Sequence, residues 1–529
     1  MKRTGLVAAL VVFAAAAVVL AVTVGAWWWI AAGPLLALAA TGTYDLVQRR
    51  HSVLRNYPVL GHARFLLEAI RPEMQQYFIE RDYDGRPFDR DTRSAVYERA
   101  KGTADQDPFG TELDVYQPGY EFFVHSVAPH PVPDQPVTVR VGGPDCTKPY
   151  DMALLNVSAM SFGSLSAPAI LALNRGAKEG GFAHDTGEGG ISDHHLRYGG
   201  DLIWEIGTGY FGCRTPDGDF DPAEFARKAA TESVRCVSLK LSQGAKPGKG
   251  GVLPGAKVSA EIARVREVPE GKTVISPNHH RAFSTPRELI RFIGRMRELA
   301  GGKPTGFKLC VGSRRDVLAL CKAMLEEDIA PDFIVVDGAE GGTGAAPVEF
   351  VDHVGTPLTD GLSIVHNALV GTGLRDRVRI GASGKVATGS DIVKRLIQGA
   401  DYTNAARAMM FAVGCLQTQR CHTNQCPVGV ATQDPERSRA LVVEDKYRRV
   451  QRFQQATVHS AMEIMASLGV SDPAQLRPHM LSRRTSHHAV ATYAELYTWL
   501  EPGQLLAPAT LPEEWAGAWK SSDPDSFTA

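Results

Sequence analysis

The sequence predicts an α/β protein: a (β/α)8 TIM-type barrel with an N-terminal transmembrane helical hairpin and helical additions. Three observations carry that prediction. Between residues 153 and 409, eight short β-rich runs alternate with helical patterns, which is the rhythm of a parallel barrel. Glycine-rich turns follow the sixth and seventh runs, at the chain positions where barrels place their chemistry. Residues 5–40 are apolar almost without a break, with Thr23 as the polar side chain among them.

Taken in order, residues 5–40 as one helix would run about 54 Å, against a hydrocarbon core of roughly 30 Å. Two spans are therefore expected, turning near Gly25 or toward Gly33 and Pro34, with Trp27, Trp28 and Trp29 at the interface. Arg3 flanks the front and Arg49, Arg50 and Arg55 the back, so both ends are expected in the cytoplasm. This places the protein in the cell membrane with its catalytic domain facing the cytoplasm. A cleaved signal peptide is the alternative, but the apolar run is too long for one. Residues 1–50 thus form the hairpin.

Residues 51–150 are a connector expected to pack on the barrel, with Leu66, Leu67, Ile70, Met74 and Phe78 on one helical stripe. Residues 151–435 make the barrel. Its strands are expected at 153–159, 181–187, 236–242, 273–277, 306–312, 332–338, 377–384 and 402–409, with helices at 286–302 and 314–328 among the connections. An open doubly wound sheet is the alternative, weakened because no G-x-G-x-x-G follows the first strand. Residues 436–529 are a C-terminal helical extension, in which Val450, Phe453, Thr457, Ala461, Ile464 and Leu468 step by three and four before Gly469. Lys plus Arg total 57 and Asp plus Glu 58, so no overall field favours nucleic acid.

The loops carry the chemistry. Gly341, Gly342, Thr343 and Gly344 after the sixth strand, and Gly381, Ser383 and Gly384 at the seventh, allow backbone N–H groups to approach a phosphate. Arg407 adds a charge after the eighth, and Ser161 joins the set after the first. We read this as the grip on a flavin phosphate; each loop alone is also compatible with a tight βα turn. Lys240, Lys246 and Lys308 lie on or just after strands, where a lysine is costly unless its charge is used on a flavin or on substrate carboxylates. Cys415, Cys421 and Cys426 stand at C-x5-C-x4-C, a three-thiolate set suited to an iron–sulfur cluster. Zinc with His422 as fourth ligand competes, although the usual C-x2-C knuckle is missing.

Four stretches resemble one family. CHTNQCPVGVATQDPE is similar to the cluster-binding segment of the FMN-binding synthase part of glutamate synthases, SQGAKPGKGGVLPGAKVS to its lysine-bearing loop, DTGEGGISD to its SGEGGED loop and SPNHH to its SPPPHH. The likeness runs, with gaps, over about residues 152–468. It implies FMN as cofactor and a [3Fe-4S] cluster held by Cys415, Cys421 and Cys426. Lys240 and Lys246 fall on positions that contact substrate and flavin, Glu188 at the mouth of the active site, and His279 and His280 on the cavity wall. The implied reaction is hydride transfer from reduced FMN to 2-iminoglutarate, formed from 2-oxoglutarate and ammonia. Electrons would enter through the cluster from an electron-donor protein or subunit.

The departures matter as well. Val252 stands where the family has Gln in GGQLPG, and Asn278 and Arg281 alter SPPPHHD. Neither the glutaminase domain nor the C-terminal β-solenoid of full glutamate synthases is recognised, so ammonia is expected from solution or a partner. Two other functions stay open: an FMN and Fe–S dehydrogenase of another amine, 2-oxo or 2-hydroxy acid, and a membrane electron-transfer protein.

Overall fold

The computed structural model describes residues 3–103, 106 and 108–527, and divides into two compact units, Met1–Arg90 and Asp91–Ala529. The division falls inside the expected connector. In the first unit, helices Arg3–Thr23 and Trp29–Val47 form a hairpin turned by a single 3₁₀ turn, Ala26–Trp28, at the expected Gly25. Small residues make the seam: Ala14, Ala17 and Ala21 on one helix and Ala32 and Ala39 on the other are buried, and Gly42 meets Val7. Such seams let apolar helices approach closely. Both helices are long and apolar enough to cross a membrane. A further helix, Gly61–Met74, follows and rewinds into a π turn, Gln75–Ile79.

The second unit is built on a closed barrel of eight parallel strands paired in chain order. They are β1 (Leu155–Val157), β2 (His184–Asp185), β3 (Leu202–Ile206), β4 (Val234–Lys240), β5 (Thr305–Leu309), β6 (Phe333–Asp337), β7 (Arg379–Ser383) and β8 (Tyr402–Ala405). The expected barrel is therefore present, with one exchange among its strands. Residues 273–277 do not enter it: Val274–Ile275 pairs antiparallel with Val252–Leu253 in a small excursion between β4 and β5. The strand that takes the vacant place is β3, LIWEI, buried along its whole length. Its glutamate interrupts the apolar pattern, and that glutamate is tolerated inside because it is paired.

Strand alternation sorts the barrel interior into layers. Ala183, Ile203, Cys236, Phe333, Val335 and Tyr402 form an apolar floor, closed from below by Val141 and Met152 of an antiparallel hairpin, Thr138–Val141 with Tyr150–Ala153. Two residues further along β2 to β4 and β6, the same inward positions become Asp185, Glu205, Ser238 and Asp337. The barrel thus changes from apolar to charged toward its C-terminal end. Gly381 lies within β7 and its missing Cβ makes room for the Tyr402 ring.

The main core lies between the strands and the surrounding helices. Helix Pro286–Leu299 has Thr285 capping and Pro286 at its first position, while Ala167–Gly180 is capped by Ser166 and stopped by Gly181 at φ +72°. Helix Arg314–Glu327 occupies the other expected helical span. The C-terminal extension supplies helix Val443–Ser467, whose Val450, Phe453, Thr457 and Ala461 are buried as their spacing predicts; Gly469 follows at φ +80°. Gly176 is where it crosses Ala167–Gly180: a Cβ there would lie 2.8 Å from Val450 Cβ.

Candidate active site

Loops at the C-terminal ends of β1, β2 and β4 build a buried charged cluster around Glu188. Gly187, at φ +63°, presses the loop after β2 onto the loop after β1; a Cβ there would stand 2.6 Å from the Ser161 amide nitrogen. Glu188 follows, with a side chain 14% exposed and its Oε1 3.3 Å from Lys240 Nζ at the end of β4. The loop after β4 then closes over it: a Cβ on Gly251 would overlap the Glu188 carboxylate. That loop buries Lys246, whose Nζ donates to the Ala345 carbonyl at 3.0 Å and ties it to the loop after β6.

Arg266, at the end of helix Ala260–Arg266, completes the group. It is buried and donates to Ser161 Oγ at 3.0 Å and the Phe162 carbonyl at 3.1 Å. Burial alone would raise the Glu188 carboxyl, but Lys240, Arg266 and Lys246 together hold it below its ordinary range. Burial in turn lowers Lys246, with Lys240 adding to the effect, and brings Arg266 down to about 10. One ionised carboxylate thus faces three cations.

Expected Lys240, Lys246 and Glu188 come together here; Arg266 was not anticipated. Of the two histidines, His280 is buried and its Nε2 sits 2.9 Å from the Lys240 carbonyl, so Nε2 carries the proton and Nδ1 is left as an acceptor. Burial lowers it to about 4. His279 is exposed and lies outside this group. Val252 is 43% exposed in the excursion between β4 and β5.

Beneath this cluster Lys308 of β5 is engaged by Glu205 of β3 in a buried ion pair. Burial disfavours the lysine's charge, but Glu205, Asp185 and Asp337 outweigh it and raise its pKa. Asp185 is pushed up by burial and by Glu205, and Asp337 by burial. The Lys308 charge is therefore shared with carboxylates that the strand alternation brings beside it.

The expected phosphate grip lies on the other side of the barrel mouth. Gly342 approaches Arg407, a Cβ there standing 3.0 Å from a guanidinium nitrogen, so the loops after β6 and β8 meet. Gly341 N–H donates to the Gly338 carbonyl, Gly338 N–H to the Ser383 carbonyl, and Ser383 Oγ lies 3.3 Å from Ser158 Oγ. Thr343 is half-buried, the space beside Gly344 is open, and Gly384 has φ +149°. Among the described residues Arg407 has no hydrogen-bonding or ion-pair partner. An unpartnered guanidinium where glycine loops converge fits a phosphate-bearing cofactor such as FMN.

The three cysteines sit on the loop after helix Arg407–Val413, Cys415 and Cys426 buried and Cys421 half-buried. The loop is contorted: Gln417, Gln419 and Asn424 all have positive φ. Tyr97 Oη donates to the Cys415 carbonyl at 2.7 Å, and Lys257 Nζ donates to the Ser164 and Cys421 carbonyls, each at 3.0 Å. Burial raises the Cys415 thiol to about 12 and raises Cys421, against which Arg407 works. Among the described residues no three His, Cys, Asp or Glu side chains are arranged to hold a metal ion. The donor set, three thiols on one loop with Lys257 and Arg407 nearby, still suits an anionic iron–sulfur cluster.

Comparison with known proteins agrees with this layout. Residues 146–471 match the conserved region in glutamate synthase. The chain is 38% identical over 496 residues to the glutamate synthase large subunit-like protein YerD of Bacillus subtilis, covering 86% of this chain and 94% of that one. It is 34% identical over 322 residues to the archaeal glutamate synthase [NADPH] of Methanocaldococcus jannaschii, covering 61% of this chain and 60% of the relative's length. Among solved structures, a mandelate oxidase variant with benzaldehyde overlays with a TM-score of 0.43 at 13% identity, over 76% of this chain and 98% of that one. With the match spanning the barrel and both candidate sites, the chain belongs to the glutamate synthase family of oxidoreductases.

Proposed function

We propose that this protein is a membrane-tethered oxidoreductase that converts a 2-oxo dicarboxylate, 2-oxoglutarate, and ammonia into the amino acid, using FMN and a [3Fe-4S] cluster. The observation that carries the reading is the cluster of Lys240, Lys246 and Arg266 around Glu188. Three cations against one carboxylate leave two positive charges to be matched, and a dicarboxylate matches them. The Gly251 turn closes over Glu188, which shields these interactions from water and strengthens them.

The residues divide the work. Lys240, Lys246 and Arg266 bind and orient the substrate carboxylates. Glu188, ionised at neutral pH, is an acceptor for a protonated imine nitrogen at C2 and supplies its counter-charge. Gly341, Gly342, Thr343, Gly344, Ser383, Gly384 and Arg407 would hold the FMN phosphate, with Ser161 on the substrate side. Cys415, Cys421 and Cys426 would ligate the cluster. Bound there, the flavin supplies hydride chemistry and the cluster one-electron transfer. An electron-donor protein or subunit completes the system, and the hairpin holds it at the cell membrane with the barrel in the cytoplasm.

The test is anaerobic and uses the full chain. After reduction, flavin absorbance is followed on adding 2-oxoglutarate with ammonium, and glutamate is assayed. Reoxidation with glutamate formed is the expected result. A second reading, a dehydrogenase of another 2-oxo or 2-hydroxy acid, is favoured by the exposed Val252 in place of an amide. A loaded flavin that 2-oxoglutarate leaves reduced but another oxo acid reoxidises would select it. Loaded cofactors that exchange electrons with a protein partner and with no oxo acid would select an electron-transfer protein.

A further inference from the structure

The helix Gly61–Met74 has an apolar face that the described residues of the first unit leave uncovered. Apart from Gly61, every residue of it is exposed. At 3.6 residues per turn, Leu66, Leu67, Ile70 and Met74 fall within about 100° of one another, with Arg71 and Glu73 flanking that face and Arg64 and Glu68 beyond it. Phe78, 77% exposed, extends the apolar run into the π turn. The helix is too charged to cross a bilayer. In water such a face is a liability, so it marks an interaction surface.

What covers it is indicated by how the helix begins. Asp45, fully buried near the end of the second apolar helix, accepts from the Val59 N–H at 2.9 Å and lies 3.0 Å from His62 Nε2. Gly61 packs on Leu54, with a Cβ there only 3.0 Å from a Leu54 methyl. This clamp fixes the start of the helix to the base of the hairpin, the level at which a spanning hairpin leaves the hydrocarbon. Residues 48–79 carry five arginines against two glutamates, a balance that suits phosphate headgroups.

We propose that residues 61–79 form an in-plane helix whose Leu66, Leu67, Ile70, Met74 and Phe78 seat in the headgroup–acyl boundary of a lipid bilayer, held at that depth by the Asp45–His62 clamp. The proposal rests on the reading of the hairpin as membrane-spanning, and the test separates the two. The full chain is reconstituted in phosphatidylcholine and phosphatidylglycerol vesicles containing a lipid with a photoactivatable acyl chain, and labelled peptides are identified by mass spectrometry. We expect residues 61–79 to be labelled several-fold above the barrel helix Arg314–Glu327, and the double variant Leu67→Glu, Ile70→Glu to fall to the level of that helix. In the unaltered protein, oxidation of Met74 by aqueous peroxide should be several-fold slower in vesicles than in the same protein solubilised in mild detergent and exchanged into a lipid-free polymer belt. Labelling of the hairpin with none on residues 61–79 overturns this proposal and leaves the membrane reading intact. Labelling of neither overturns both.

Discussion

A carboxylate surrounded by three cations stays charged under conditions that neutralise ordinary ones. Because Lys240, Arg266 and Lys246 hold Glu188 low, its protonation contributes an acid limb to kcat/KM that lies below the ordinary carboxylate range. A pH profile of the Glu188→Gln variant, with that limb removed and kcat lower by about 10²-fold, would check this assignment. Arg266→Lys tests the cation that spacing did not reveal. Lysine cannot reproduce the two fixed donations to Ser161 and Phe162, so kcat/KM should fall about 10- to 100-fold with flavin content unchanged. Lys246 and Glu188 are legible because each sits in a short stretch similar to the family's own, and Lys240 because it is a lysine in an apolar strand two residues before one of those stretches. Arg266 was not, because it ends a helix in the excursion between β4 and β5, and only the folding back of that excursion brings it to Ser161.

Strand alternation explains both what the sequence revealed of the fold and what it concealed. Seven strands are legible as β-rich runs, but the glutamate in LIWEI breaks its apolar pattern, while 273–277 reads as a strand and lies outside the barrel. The glutamate that masks LIWEI is the partner that lets Lys308 exist inside the barrel. Lys308→Met alone should therefore cost about 3–5 kcal/mol in denaturant unfolding, by stranding the Glu205 charge. Adding Glu205→Leu should recover most of the loss, which a purely local packing defect would not permit. The outward face of β2 holds a pH effect. Burial lowers His184 of β2 to about 3, and burial with His184 beside it lowers His195. Both stay neutral in the folded protein while the unfolded chain takes up protons, so stability is full above about pH 6.5 and is lost as pH falls, at up to about 1.4 kcal/mol per pH unit per group. Thermal unfolding followed from pH 7 to pH 5 should show the decline, and His195→Gln should reduce its slope.

On the scale of the whole molecule, the candidate active site and the apolar surface belong to different parts of the chain. Every residue of the two core clusters that build the barrel lies beyond residue 140, whereas the two membrane-length helices and the uncovered face of Gly61–Met74 lie within the first ninety. The division at Arg90 was not legible, because the connector's helical stripe reads equally as a face for the barrel or for something else. The distinction has a measurable consequence. A chain of residues 51–529 lacks the hairpin but keeps the apolar face, so it should pellet with vesicles or self-associate during gel filtration. A chain of residues 91–529 lacks both and keeps the complete core, so it should elute as a single species with bound flavin. If the shorter chain instead fails to fold, the first unit contributes to barrel stability and the two are not independent. If residues 51–529 behave as well as residues 91–529, the uncovered face does not drive association, and the proposed attachment to the membrane falls to the hairpin alone.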